Sequence, residues 1–156
     1  MSKWFFANLL LLLVAVWQIS KSSFLINIHI VIGFIGLLFF LFNWTRQAVF
    51  STIRNTPKRK TKIKLANFSK KIVPFHRWTG TTAFVIVMIH AIMVIHRYGL
   101  HLQWHKMIAG LIAGMLLTAM VISGWLRLFW PSVRKRKWHI YIGMSLFFII
   151  FIHILL

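Results

Sequence analysis

The chain has no cysteine, no aspartate and no glutamate in its 156 residues. Without cysteine there is no disulfide, no zinc–thiolate site, no iron–sulfur cluster and no thiol redox chemistry. Without carboxylates there is no paired-acid catalysis, no Ser-His-Asp triad and no carboxylate metal site, so no catalytic residue is expected. The 19 lysines and arginines have no internal counter-charge, which leaves a net charge of +19. Such basicity often points to nucleic acid. Here 60% of the residues are hydrophobic and the mean hydropathy is +0.80, so no nucleic-acid partner is expected. Anionic membrane lipid and acidic partner proteins are the better match.

What remains is long apolar runs and eight histidines, the only strong internal ligands. The basic residues divide the chain into five apolar segments, at about 4–20, 24–44, 75–96, 107–127 and 138–156. Each approaches the roughly 20 residues that cross a bilayer as a helix. The fold class expected is therefore an all-α membrane protein, a single five-helix transmembrane bundle over 1–156, multi-pass in the cell membrane. The first segment has tryptophan near both ends and no clear small-residue cleavage site, so it reads as a retained helix rather than a signal peptide. Most of the eight tryptophans fall near segment ends, as in interfacial belts.

Orientation follows from where the positive charge lies. The stretch 45–73 is densely basic, and a second cluster is Arg134, Lys135, Arg136 and Lys137. The other two connections hold only Lys21, and Arg97 with Lys106. The positive-inside rule puts 45–73 in the cytoplasm as a basic loop, with the N-terminus inside and the C-terminus outside. Spaced apolar residues in that loop, including Ile63, Leu65 and Phe68, suit contact with the inner leaflet or with an acidic electron donor.

The third segment carries His76 and His90, fourteen positions apart, and the fifth carries His139 and His153 at the same spacing. Fourteen helical steps span about 21 Å and return to nearly the same face. One such histidine is more often a hydrogen-bonded core residue. Matched pairs at matched depth in two apolar helices are harder to assign to packing, because ionisable groups in a membrane are costly. Imidazole is a usual axial ligand of haem iron. Both segments run inside to outside, so if haems are present the topology pairs His76 with His139 and His90 with His153, one haem at each level.

Gly80 and Gly143 each lie four residues beyond the inner histidine of their segment, and are expected to leave room for porphyrin; ordinary helix packing is the plainer alternative. Arg77 and Lys137 flank the inner histidines and suit haem propionates, or only mark the interface. Gly110 and Gly114 suit close helix packing. His96 does not share the face of His90. His101 and His105 are a weak metal pair without a third ligand, and His29 suits a packing role.

The run Phe75-His76-Arg77-Trp78-Thr79-Gly80, followed by His90 and later by His139 and His153, resembles the ferric reductase-like transmembrane domain. That superfamily includes iron reductases, NADPH oxidases and the haem-binding membrane subunit of the bacterial methionine sulfoxide reductase system. The resemblance implies electron transfer outward through two b-type haems held by the third and fifth helices. Members usually have a sixth helix, and many continue into a flavin and nicotinamide domain. This sequence ends three residues after His153, so another subunit is a candidate source of that helix. It carries no phosphate-cradling glycine loop and no flavin or nicotinamide motif. A separate flavoprotein or quinol donor is therefore implied. The acceptor would lie outside, as ferric iron or a partner protein. The oxidase branch has a further histidine where this chain has Val94, so superoxide production is not expected. Two other readings stay open: a quinol-linked cytochrome b subunit, and a haem-free membrane anchor or assembly subunit.

Overall fold

The structure, a computed structural model, describes residues 2–21 and 27–156. They form five helices, and among the described residues there is no strand: α1 (Lys3–Lys21), α2 (Ile28–Asn55), α3 (Arg59–Tyr98), α4 (His105–Phe129) and α5 (Val133–Leu155). All five are long and apolar enough to cross a membrane. Long runs of Leu, Ile, Phe and Val satisfy their peptide groups within the helix and leave apolar surface on every side. The segment expected to begin at Phe24 has its first three residues, 24–26, outside the described residues.

The largest departure from the sequence reading is the stretch 45–73, expected as a loop. It is helical except for the connection at 56–58, because α2 runs on to Asn55 and α3 begins at Arg59. Charge had served as a sign of chain reversal, yet Lys and Arg are good helix formers. The actual break is Pro57, which lacks an N–H and holds Thr56 extended, at φ −79° and ψ 119°. Pro74 sits inside α3 without ending it. The extension also packs: Leu65, Ser69, Ile72 and His76 follow a helical spacing, and Ser69 is buried.

The other ends have local causes. Gly99 ends α3 at φ 76° and ψ 176°, a region open in practice only to glycine, and its N–H donates to the Ile95 carbonyl at 2.8 Å. Ser132 caps α5 by accepting from the Lys135 N–H at 3.1 Å.

The helices form a closed ring. Each packs against the next in sequence, and α5 returns to α1. Near their C-terminal ends α1 and α5 are joined by Gln18 Nε2, which donates to the carbonyls of Ile154 at 3.1 Å and Leu155 at 3.0 Å. The core lies within the ring, from Leu11 and Ala15 of α1 through Leu37, Phe40, Leu41 and Trp44 of α2 to Ala113, Leu117, Leu146 and Phe147. Trp44 stacks on Phe147 with centroids 5.4 Å apart, and Trp4 meets Trp44 edge-on at the same distance. Such pairs add about 0.5–1.5 kcal/mol beyond area burial.

The helix α3 stands apart from this core. It contributes only the partly buried Phe84 and Val87, and none of its Cα atoms lies within 8 Å of one in α5. The two helices expected side by side are therefore parallel but separated, with α2 and α4 flanking the space between them.

Candidate functional site

At one end of the ring the space between α3 and α5 opens into a cavity of about 450 Å³. Cofactor pockets commonly measure about 300–1,000 Å³. His76, Arg77 and Gly80 line it from α3, His139 from α5, Arg46 from α2, and Met120, Gly124, Trp125 and Arg127 from α4. We call this the basic end. Across the cavity the rings of His76 and His139 lie 6.3 Å apart between centroids, with planes at 84°. Two imidazoles facing one metal from opposite sides, each nitrogen about 2 Å from it, would place their centroids roughly 6 Å apart.

The ring nitrogens show how His139 is held. Ser123 Oγ is 2.9 Å from the Met120 carbonyl and 2.8 Å from His139 Nδ1. A carbonyl can only accept, so the single hydroxyl hydrogen goes to Met120, and Ser123 meets the imidazole as an acceptor. His139 therefore carries its proton on Nδ1, which leaves Nε2 with a free lone pair. A metal-binding histidine is usually fixed in this way through its other nitrogen. The Cε1 of the same ring lies 3.4 Å from where a side chain on Gly124 would begin.

Three polar atoms of the cavity-lining residues are buried without a partner: His76 Nδ1, Arg46 Nε and Arg77 Nε. A buried polar group left unpaired costs about 1–3 kcal/mol. The Arg77 guanidinium lies over the Trp125 ring at 5.4 Å. With no Asp or Glu in the sequence, no side chain among these residues supplies an anion for Arg46, Arg77 or Arg127.

His90 and His153 occupy the same two helices, fourteen residues further on. His90 Nδ1 lies 2.7 Å from the His29 carbonyl and His153 Nδ1 lies 2.9 Å from the Lys106 carbonyl. Both nitrogens must donate, so each Nε2 again has its lone pair free. Both rings lie against glycine. A Cβ on Gly33 would come within 2.8 Å of His90, and one on Gly110 within 2.9 Å of His153. These two rings make no ring contact with one another, though they lie near enough to interact electrostatically; His90 has the ring of His29 at 6.4 Å, tilted by 35°. The structure thus brings His76 and His139 across one cavity, and fixes His90 and His153 separately.

The remaining expected residues divide. Gly80 lines the cavity, and only Asn43 Nδ2, at 3.8 Å, approaches its missing Cβ. Gly143 is buried under Trp44 at 3.0 Å and Met120 at 3.2 Å, so it makes room for helix packing and not for a group in the cavity. Lys137 is exposed and does not line the cavity; Arg46 and Arg127 do. His101 packs on Trp104 at 4.5 Å, and no cluster of three metal-ligating side chains occurs among the described residues.

Sequence reasoning missed Ser123, Arg46, Arg127 and the glycines beneath the rings. A signal for the glycines existed. Gly110 and Gly124 are fourteen apart, the spacing of His153 and His139 in the antiparallel neighbour. In α2 the partner of His90 is Gly33, but the position fourteen further on is Gln47. Comparison with family models, with curated proteins and with solved structures finds no match to this chain.

Proposed function

We propose that the protein is a multi-pass cell-membrane cytochrome of the ferric reductase-like kind, holding two haems b between α3 and α5. His76 and His139 would hold one haem at the cytoplasmic level, and His90 and His153 the other at the outer level. Electrons would pass from a separate flavoprotein or quinol donor to an outside acceptor, ferric iron or a partner protein. The observation that carries the reading is the His76–His139 pair, 6.3 Å apart across a cavity that both line.

Further support comes from the nitrogens. His90, His139 and His153 each have Nδ1 engaged, which orients Nε2 as the ligand atom. The unpaired nitrogens of Arg46 and Arg77 suit the carboxylates that haem carries and this chain lacks. Exposed apolar side chains all round the ring, such as Phe6, Ile92 and Met115, suit lipid and would be a liability in water. The weighting of basic residues towards 45–73 and 134–137 supports a cytoplasmic basic end and an N-terminus inside.

Bound haem supplies a one-electron couple at iron. The chain's own part is to fix four imidazoles, exclude water with Met120, Leu117 and Trp125, and offer three guanidinium groups to anions. The test is a reduced-minus-oxidised spectrum of the purified protein. Bands of b type are expected; a colourless preparation favours a haem-free anchor or assembly subunit. Reduction by quinol without any flavoprotein would favour a quinol-linked cytochrome b subunit.

A further inference from the structure

The four ligand imidazoles are not supported alike. At the His90/His153 level both Nδ1–H groups donate to peptide carbonyls, at 2.7 and 2.9 Å. At the basic end only His139 is served, by the Ser123 hydroxyl at 2.8 Å with the Met120 carbonyl close by; His76 Nδ1 has no acceptor. An accepted Nδ1–H makes an imidazole more electron-rich and favours the oxidised metal. Charge pushes in the same direction. Arg46, Arg77 and Arg127 all line the basic-end cavity, and positive charge there disfavours the more positive, oxidised state of a bound iron. At the other level the cations are fewer: Arg97 lies over Tyr98, and Lys106, which gives His153 its backbone carbonyl, also acts on that ring through its charge.

We propose that the two sites differ in reduction potential, the basic-end site being the higher, and that Ser123 is the residue that tunes it. The inference rests on the di-haem reading above. Ser123 acts as a positioning residue: it touches neither iron nor porphyrin, and works through the Nδ1–H of His139. Its hydroxyl lies 2.8 Å from His139 Nδ1, and its loss leaves that ring only the neighbouring Met120 carbonyl as an acceptor. Its hydroxyl is itself fixed by the Met120 carbonyl, which keeps it facing the ring as an acceptor.

The experiment is a potentiometric titration of the purified, haem-loaded protein, followed optically. Two waves are expected, and His153→Ala should remove the lower one. Ser123→Ala should shift the upper wave upward and leave the lower in place, and Ser123→Thr should restore the original position. Arg127→Gln, which leaves the His139 contact untouched, should shift the upper wave downward and serves if Ser123→Ala does not fold. Removal of the upper wave by His153→Ala would overturn the assignment. So would a single wave in the unaltered protein, or two waves that neither Ser123→Ala nor Arg127→Gln moves. A protein without b-type bands would instead remove the di-haem reading on which the inference stands.

Discussion

At the basic end the histidines face each other across open space, with arginines around them and nitrogens left unpaired. At the opposite end the histidines are clamped, each between a peptide carbonyl and a glycine. The difference is in what completes each site. His90 and His153 are positioned by the chain itself, so their geometry follows from helix packing. His76, Arg46 and Arg77 have buried polar atoms that the protein does not satisfy, so that end has room for a polar partner from outside these helices. A fixed ring and an unfinished cavity make different demands on sequence, and they should fail differently under substitution.

The largest contrast is expected from removing ligands. His76→Ala and His153→Ala should each lower haem content from two per chain towards one, measured by pyridine haemochrome against protein concentration. If either variant keeps both haems, its level has been wrongly assigned.

The glycines sharpen the comparison. Gly33→Ala and Gly110→Ala place a methyl carbon at 2.8–2.9 Å from an imidazole whose Nδ1 is already committed to a carbonyl. Overpacking of this kind costs about 1–3 kcal/mol. Thermal unfolding in detergent should show that loss. Gly80→Ala, with 3.8 Å to its nearest neighbour, should be close to neutral in the same assay. Equal effects at all three positions would mean that the clamps are not specific to one end.

A stability effect of similar size, without any change at a ligand, belongs to the turn that ends α3. Gly99→Ala forces a side chain onto φ 76°, ψ 176°, at a cost of about 1–3 kcal/mol. It should lower thermal stability and leave haem content unchanged, because Gly99 ends α3 beyond His90. A loss of haem in this variant would show that the end of α3 also governs the His90 level.

The smallest effect is expected on the surface of the basic extension. Lys62→Gln removes an exposed charge in a helix where no carboxylate is available to pair with it. Stability should change by less than about 0.5 kcal/mol. A larger loss would show that the extension depends on that charge for its fold.

The sequence made the number of helices legible because length and hydropathy act on each segment independently of its neighbours. It also made the parallel course of α3 and α5 legible, since the two reversals through α4 return the chain to its earlier direction. The stretch 45–73 was misread because charge density was taken for chain reversal, when only Pro57 in that region breaks the helix. Gly143 was misread for a different reason. Its spacing from His139 matches that of Gly80 from His76, but spacing along one helix does not reveal that Trp44 and Met120 arrive from two others. Ser123 and Arg46 were invisible for the same cause: each reaches the site from a neighbouring helix. Antiparallel register could have exposed the glycine clamps, because Gly110 and Gly124 repeat the fourteen-residue interval.

The most direct test of the account is the haem content and optical spectrum of the intact, detergent-solubilised protein beside its His139→Ala variant. The account predicts b-type bands with two haems per chain, and one haem in the variant. Haem content unaffected by losing His139, or no haem in either protein, would contradict it.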